Sequence, residues 1–217
     1  MSKYVLVPDS FKGTMTSREI CEIMQHAIER IDSDAKIISV PVADGGEGSV
    51  DAFLSALGGK RKAITVTGPH FEKLSSSYGI TDDGTAVIEM SACAGLPLVY
   101  GKKNPELTTT YGVGELICNA ARSGAKRIVI GLGGSATNDG GCGAAAAAGI
   151  KFYDKSGKSF IPVGKTLKDI ASIDYSGLDS ALSGVSISAM CDVDNPLLGE
   201  TGAANVFGPQ KGANVAM

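Results

Sequence analysis

The sequence predicts an α/β protein with two α/β domains, one Rossmann-like with a parallel sheet that is incomplete in this chain, and one with a mixed sheet. Two patterns support this prediction. The residues before Lys62 alternate strand, helix, strand, helix, an order typical of parallel sheets with helical crossovers. After Lys62, three strand-like runs follow one another without a helix, which indicates a meander and a domain boundary. We therefore expect a Rossmann-like domain at residues 1–62 and a second α/β domain, carrying a glycine-rich loop, at residues 63–217.

The N-terminal elements follow from hydrophobic spacing and capping signals. Residues 3–7 and 36–40 are short β-branched runs typical of buried strands. Thr16, with Glu19 three residues later, predicts a capping box at the start of an amphipathic helix. A second helix is expected to end at Gly58-Gly59.

The second domain alternates turn signals with short apolar runs. Gly68-Pro69 and Asp82-Asp83-Gly84 separate the meander strands, and five consecutive alanines predict a helix. The stretch from Asp192 onward is expected to be a loop. The predicted strands lie at residues 63–67, 75–80, 85–90, 127–131, 151–154, 172–174 and 185–190, and the predicted helices at 111–122, 144–148 and 166–170.

Composition excludes several classes of protein. The 20 basic and 23 acidic residues give a net charge of −3 without a long basic run, so a nucleic-acid partner has no electrostatic basis. No apolar run is long enough for a membrane span, and the N-terminus lacks the features of a signal peptide. Five widely spaced cysteines and two histidines form no zinc or disulfide pattern, and free thiols fit a cytoplasmic location. Glycine is in excess, with 29 residues of 217, roughly twice its usual share.

The glycines are densest in the run GLGGSATNDGG at residues 131–141, between a predicted strand and a predicted helix. Successive glycines expose backbone N–H groups, and a helix N-terminus adds partial positive charge, so this loop is predicted to bind phosphate. Asp139, an anion, suits a bridging Mg²⁺ or the acceptance of a proton. A tight turn without a ligand is the alternative interpretation. The neutral residues expected to contact phosphate are Gly133, Gly134, Ser135, Thr137 and Asn138.

Two other motifs overlap this part of the chain. The spacing GxGxxA at residues 131–136 matches the dinucleotide fingerprint, and Asp154 follows at the distance expected of a ribose-binding acid. Against it, the glycines at 140–141 interrupt the helix that the fingerprint requires. The tripeptide Gly164-Lys165-Thr166 lacks the first glycine of a P-loop and is interpreted as a polar turn. Dinucleotide binding stays a competing interpretation of the first motif.

Three acidic loops follow predicted strands: DSFKG from Asp9, ADGGEG from Ala43 and CDVDNP from Cys191. Ligands of open parallel sheets bind outside the carboxyl ends of the strands, so these loops are expected to share one edge. A carboxylate there can bind Mg²⁺ or accept a hydroxyl proton, and a lysine can neutralise phosphate charge. Helix N-capping is the alternative for Asp9, Ser10 and Asp44. The candidates are Asp9, Ser10, Lys12, Asp44, Glu47 and Asp192, with Lys211 either a phosphate clamp or part of a frayed tail.

Six motifs, in order, resemble the bacterial glycerate kinase family. They are DSFKGT (residues 9–14), PVADGGEG (41–48), TTTYGVGELI (108–117), IGLGGSATNDGG (130–141), CDVDNPLLG (191–199) and FGPQKGA (207–213). The resemblance implies two α/β domains with the active site between them, ATP and Mg²⁺ as cofactors, and phosphorylation of D-glycerate to 2-phosphoglycerate. Because members of that family continue past the last motif, we expect this chain to be an N-terminal fragment.

Phosphoryl transfer requires in-line positioning, neutralisation of charge and a group that accepts the hydroxyl proton. From the residues and the resemblance together we expect the loop at 133–138 to hold the ATP phosphates and Asp139 or Asp192 to anchor Mg²⁺. Asp44 or Asp192 is expected to accept the proton, and Lys12 to bind the substrate carboxylate or the transferring phosphate. A nicotinamide-dependent oxidoreductase and an inactive nucleotide-binding fragment are the competing functions. The expected partners are D-glycerate, a nucleotide and a second copy in a homodimer, without nucleic acid or membrane.

Overall fold

Residues 2–11 and 13–217 are described by the structure, a computed structural model. Across these residues the strands are β1 (Lys3–Leu6), β2 (Lys36–Ser39), β3 (Lys60–Thr67), β4 (Lys73–Ile80), β5 (Thr85–Glu89), β6 (Arg127–Gly131), β7 (Lys151–Tyr153), β8 (Ser159–Phe160), β9 (Ser172–Asp174) and β10 (Ser186–Met190). The helices are α1 (Ser17–Glu29), α2 (Ser49–Leu57), α3 (Ser91–Ala94), α4 (Tyr111–Arg122), α5 (Cys142–Ala147) and α6 (Ala203–Phe207). None of the helices in the described ranges is long and apolar enough to cross a bilayer.

The central sheet has five strands in the order β10-β6-β5-β4-β3. β10, β6 and β5 are parallel, whereas β4 is antiparallel to both β5 and β3, so the sheet is mixed. β1 and β2 pair in parallel as a separate two-stranded sheet, and β8-β7-β9 form a small antiparallel sheet. The predicted α/β class with parallel and mixed sheets is confirmed, and so is the meander β3-β4-β5.

The main core lies between α4 and the central sheet. Leu116 of α4 and the strand residues Ile88 and Ile128 are almost fully buried in one apolar cluster, and burial of each such side chain contributes about 2 kcal/mol. Tyr78 is also fully buried, and its hydroxyl donates to Asn119 Oδ1 at 2.8 Å, which satisfies the one polar group that this aromatic side chain brings into the core. This packing holds the carboxyl ends of β5 and β6 side by side, at the edge where the predicted loops begin.

α2 joins the N-terminal part of the chain to the central sheet. Its Val50 is fully buried against β4, where a Cβ at Gly79 would lie only 2.9 Å from Val50 Cγ1. α2 also packs on β5. The domain limits 1–62 and 63–217 stay a prediction, and the helix just before that division contacts the sheet that follows it.

Local signals at the helix ends give mixed outcomes. The capping box is confirmed: Glu19 N–H donates to Thr16 Oγ1 at 3.2 Å, and Thr16 N–H donates to Glu19 Oε2 at 2.7 Å. The prediction of a loop after Asp192 is wrong in part, because α6 and a 3₁₀ turn at Pro209–Lys211 form between the tail glycines. The helix predicted at 166–170 is a 3₁₀ segment over Gly164–Asp169.

The turn between β4 and β5 depends on one carboxylate. Asp83 Oδ1 accepts from Thr81 Oγ1 at 2.6 Å and from Thr85 N at 3.1 Å, and Oδ2 pairs with Arg127 Nη2 of β6 at 2.7 Å. These hydrogen bonds, that from Thr81 first, lower the pKa of Asp83 to about 2. A carboxyl whose folded pKa is depressed stabilises the fold above its unfolded pKa and loses that contribution as pH falls toward the folded value.

We therefore predict that Asp83→Asn lowers the melting temperature by a few degrees at pH 7. The gap between wild type and variant should shrink as pH falls from about 4 to about 2, since the wild-type carboxylate is then protonated. Asp82→Asn is the matched control, because Asp82 is exposed and accepts no hydrogen bond from any described residue. Thermal melts across this pH range measure the effect, and a gap independent of pH would contradict the assignment.

Candidate functional site

Two of the predicted loops meet where the central parallel strands end. Gly133 N–H donates to Gly45 O at 3.1 Å, and Leu132 N–H donates to Met190 O at 3.3 Å. Met90 N–H, just beyond β5, donates to Gly131 O at 2.9 Å. The glycine-rich loop after β6 thus lies between the loop that follows β2 and the end of β10, and the third acidic loop starts directly after Met190.

This junction is made by backbone against backbone. A Cβ at Gly133 would lie 2.8 Å from Gly46 Cα, closer than side-chain carbons approach in folded proteins. Gly45 has φ +88°, a conformation that side chains other than glycine rarely adopt, and it also packs against Met190. Gly131 and Gly133 are therefore required by the close approach of the two loops, and Gly45 by its backbone conformation, independently of any ligand.

Asp44 stands at the start of this contact. Its Oδ1 accepts from Gly46 N at 3.1 Å, and the residue is half-buried. The alternative of helix capping by Asp44 is wrong, because α2 begins after Gly48, which has no side chain to cap it.

Glu89, at the end of β5, anchors α2 in place of a capping residue. It is 7% exposed, and its Oε1 accepts from Val50 N at 2.7 Å. Burial raises the pKa of this carboxyl, while the bond from Val50 opposes the rise. Sequence reasoning missed Glu89; its signal was an acidic residue inside an otherwise apolar strand. By fixing the first turn of α2, Glu89 also positions the loop that carries Asp44 and Glu47.

Several backbone N–H groups of the glycine-rich loop donate to no described residue. It is tied down by Leu96 N–H, which donates to Gly134 O at 2.9 Å, and by Ala136 N–H, which donates to Ala94 O at 2.8 Å. The N–H groups of Gly134, Ser135 and Asn138 donate to no acceptor among the described residues. Because backbone N–H groups in a fixed loop can bind an anion, this part of the loop offers three such donors.

Asp139 follows the loop and is 1% exposed. Its Oδ2 accepts from Thr110 N at 2.8 Å, Thr110 Oγ1 at 2.8 Å and Gly143 N at 3.2 Å, and its Oδ1 accepts from Gly141 N at 3.1 Å. These bonds fasten the first turns of α4 and α5 to each other. Asp139 thus accepts four hydrogen bonds from the protein, three of them at Oδ2, where a carboxylate has about four acceptor positions in all.

Lys211 of the tail lies on the glycine-rich loop. Its Nζ donates to Thr137 O at 2.6 Å and to Ser135 Oγ at 3.2 Å. Burial lowers the pKa of this ammonium, and the neighbouring Asp139 carboxylate opposes that shift. The interpretation of this part of the tail as frayed is wrong, because Lys103 Nζ also donates to Gln210 O at 3.0 Å.

The first acidic loop lies beside the second. Ser10 and Glu47 line one cavity of about 340 Å³, together with the turn before α1 and Pro97. Asp9 is exposed and accepts from Ser10 N at 2.7 Å. The capping alternatives for Asp9 and Ser10 are wrong, because Thr16 caps α1. Lys12, expected to be catalytic, lies outside the described residues.

Asp192, in the third acidic loop, differs from the other candidate acids. It is exposed and accepts no hydrogen bond from a described residue. No group of three or more His, Cys, Asp or Glu side chains within residues 2–11 and 13–217 is arranged to hold a metal ion. A cation held partly by substrate phosphates needs only one or two carboxylates from the protein, so Asp192 is available for that role.

The dinucleotide interpretation is wrong. A Rossmann unit requires the strand after the fingerprint helix to join the same parallel sheet. Here β7 belongs to a different sheet and is antiparallel to both its neighbours. Asp154, the expected ribose ligand, accepts instead from Ser156 Oγ at 2.6 Å and Lys158 N at 3.1 Å within its own turn.

Comparison with known proteins gives one consistent family. Residues 4–217 match the family model described as "Glycerate kinase family". A curated "Glycerate 2-kinase" of Escherichia coli (strain K12) is 48% identical over 217 residues, which cover 99% of this chain and 57% of the relative. A curated "Glycerate kinase" of Bacillus subtilis (strain 168) has the same identity and the same coverage.

A solved crystal structure shows the same similarity in three dimensions. The Salmonella typhimurium LT2 protein named glycerate kinase 2 superposes with a TM-score of 0.85 at 43% identity, covering 99% of this chain and 58% of that one. The chain thus spans a little under three fifths of the length of the relatives that it matches.

The four hydrogen bonds that buried Asp139 accepts predict a positioning role, which a measurement of stability can test. Asp139→Asn replaces acceptors by an NH₂ group facing N–H donors, so the free energy of unfolding should fall by about 2–3 kcal/mol, the scale of hydrogen bonds to a charged group. Asp154→Asn is the control, since the carboxylate of this half-buried residue accepts hydrogen bonds only within its own turn. Chemical denaturation measures both variants. An unchanged stability with loss of nucleotide binding would instead indicate that Asp139 contacts the ligand.

Proposed function

The chain belongs to the glycerate kinase family, and from this premise we propose that it transfers the terminal phosphoryl group of ATP to a hydroxyl of D-glycerate, giving 2-phosphoglycerate. The observation that supports this most is the convergence of the glycine-rich loop with two acidic loops at one edge of the parallel strands. Phosphoryl transfer requires positioning, charge neutralisation and a proton acceptor. The N–H groups of the glycine-rich loop, Lys211 and the carboxylates of the acidic loops are proposed to meet these three requirements.

The phosphates of ATP are proposed to lie along residues 133–138. The N–H groups of Gly134, Ser135 and Asn138, which donate to no acceptor in the described part of the chain, would donate to phosphate oxygens. Lys211 brings the positive charge, and its partial burial strengthens its attraction to an anion because the local dielectric constant is low. Thr137 contributes its carbonyl to Lys211, and thereby holds the ammonium over the loop.

D-Glycerate is proposed to bind in the cavity beside Ser10 and Glu47. Glu47 can accept a hydrogen bond from a substrate hydroxyl, and Ser10 can donate to the carboxylate. Lys12, in the same loop by sequence, is proposed to pair with that carboxylate. Asp9 would support the loop through its bond to Ser10 N.

In the reaction, the substrate hydroxyl oxygen forms a bond to the terminal phosphorus of ATP. The bond from that phosphorus to its bridging oxygen breaks, and the electron pair leaves with ADP. The hydroxyl proton passes to Asp44 or Asp192, the two acids next to the junction of the loops.

The donor set at this edge fits a magnesium ion. When bound, Mg²⁺ would neutralise phosphate charge during transfer. We favour Asp192 over Asp139 as its ligand, because the Asp192 carboxylate is exposed and accepts no hydrogen bond from a described residue, whereas Asp139 is buried and accepts four. Asp139 is then proposed to position the loop rather than to bind the metal.

A cytoplasmic location and a homodimer complete the proposal. All five cysteines are free thiols in the structure, as is usual in a reducing compartment. The homodimer is a prediction, which a measurement of molecular mass in solution tests.

We predict that Asp44→Asn and Asp192→Asn each reduce kcat about 100-fold or more if the residue accepts the proton or holds the cation. Asp194→Asn is the matched control, since Asp194 lies in the same exposed loop without a proposed role. ADP release with D-glycerate and ATP-Mg²⁺ measures turnover. If both aspartate variants keep kcat near that of the control, the reaction centre lies elsewhere.

The remaining alternative is a chain that binds nucleotide without turnover. In that case ATP-Mg²⁺ would raise the stability of the chain, by about 2.7 kcal/mol at a hundredfold excess over Kd, while no ADP formed from D-glycerate. NADH is the control ligand and should leave the melting temperature unchanged.

A further inference from the structure

Three consecutive threonines, Thr108, Thr109 and Thr110, are buried in the segment that leads into α4, with at most 3% of each residue exposed. Thr109 N–H donates at 3.0 Å to Pro69 O, in the turn between β3 and β4. Thr110 donates to the Asp139 carboxylate through both its N–H and its hydroxyl. The segment is therefore fastened on one side to the β3–β4 turn and on the other to the end of the glycine-rich loop.

Ala136, in the middle of the glycine-rich loop, is held from two sides. The residue is 0% exposed, so its backbone polar groups need partners within the protein. Its N–H donates to Ala94 O, at the end of α3, at 2.8 Å. Its C=O accepts from Thr108 Oγ1 at 3.0 Å. The hydroxyl of Thr108 thus supplies the donor for a buried carbonyl of the loop.

This bond sets the orientation of the peptide group between Ala136 and Thr137. The C=O and the N–H of a planar trans peptide point in opposite directions. With the carbonyl directed at Thr108, Thr137 N–H is turned away from Thr108 and donates to Ser135 Oγ at 3.3 Å. Ser135 precedes this peptide and Asn138 follows it, so a rotation of the peptide would disturb the N–H groups on both sides that are proposed to bind phosphate.

We infer that Thr108 is a positioning residue for phosphoryl transfer, whose hydroxyl fixes the direction in which residues 134–138 present their N–H groups to a phosphate chain. This inference rests on the proposed function and adds a residue that contacts neither ligand in the proposed arrangement. The bonds of Thr109 and Thr110 hold the hydroxyl of Thr108 in place, so it acts as a fixed point for the loop.

Removal of the hydroxyl with little change of side-chain shape tests the inference. In Thr108→Val the carbonyl of Ala136 is left buried without this donor, and such a group is costly enough to make the peptide rotate. The KM for ATP-Mg²⁺ should then rise about tenfold or more, while the KM for D-glycerate changes less than about twofold. A role in stability alone would lower the active fraction, and with it the apparent kcat, without this difference between the two KM values.

Thr81→Val is the matched control. Thr81 is 2% exposed, and its Oγ1 donates to Thr85 O at 3.0 Å, in the turn at the opposite end of β5 from the glycine-rich loop. This variant also loses a buried threonine hydroxyl bonded to a backbone carbonyl, but it should keep both KM values. Thr108→Ser retains the hydroxyl and should keep the wild-type KM for ATP-Mg²⁺ even if it is less stable.

Titration calorimetry with inorganic tripolyphosphate and Mg²⁺ gives a second readout that does not require turnover. Wild-type affinity in a folded Thr108→Val variant, or an equal loss in Thr108→Ser and Thr108→Val, overturns the inference. The proposed function then still stands if the wild-type chain releases ADP with D-glycerate. If Thr108→Val does not fold, Thr108→Ser decides: wild-type affinity supports the inference, and a loss of affinity overturns it. A wild-type chain that binds neither tripolyphosphate nor ATP and releases no ADP overturns both.

Discussion

The close approach of two glycine backbones organises this molecule. Gly45 and Gly46, after β2, lie directly on Gly131 and Gly133, after β6, without any side chain between them. Because no side chain separates the two backbones, Gly133 N–H can reach Gly45 O. The loop that carries Asp44 therefore lies against the glycine-rich loop. A methyl group on Gly131 or Gly133 would clash with the backbone of Gly45 or Gly46 and force the two loops apart, because protein interiors are close-packed.

Buried acids support that contact from two sides. Glu89 ties the first turn of α2 to β5, and Asp139 ties the first turns of α4 and α5 together. Both carboxylates face backbone N–H groups, where a charged acceptor forms strong hydrogen bonds. Asp192, in contrast, is exposed and accepts no hydrogen bond from a described residue. Burial and bonding therefore separate the acids that build the site from those proposed to use it.

Sequence patterns predicted the parts of the fold that depend on neighbouring residues. The capping box of Thr16 and Glu19 and the meander strands arise from local spacing, and both are confirmed. The glycine-rich loop was located by its composition. The position of β10 beside β6, in contrast, joins residues far apart in the chain, and no local pattern encodes such a pairing. α6 was not predicted, because it has only five residues and is flanked by Gly202 and Gly208.

The site could be predicted only as a set of candidates. The sequence shows Asp44, Asp139 and Asp192 as acids in loops that follow predicted strands, and it does not distinguish their roles. Their difference lies in what faces each carboxylate, and for Asp139 the partner Thr110 is 29 residues away. Glu89 was overlooked for the same reason, since its partner Val50 is 39 residues earlier.

The bond between Lys211 and Ser135 has a consequence for how the protein is made. The two residues are 76 positions apart, so a ribosome adding about 5–20 residues per second completes the glycine-rich loop roughly 4–15 seconds before it adds this lysine. During that interval the nascent loop has its backbone donors but lacks the ammonium that lies over them. Until the tail has been synthesised and has docked, the loop therefore lacks the contacts of Lys211 with Ser135 and Thr137.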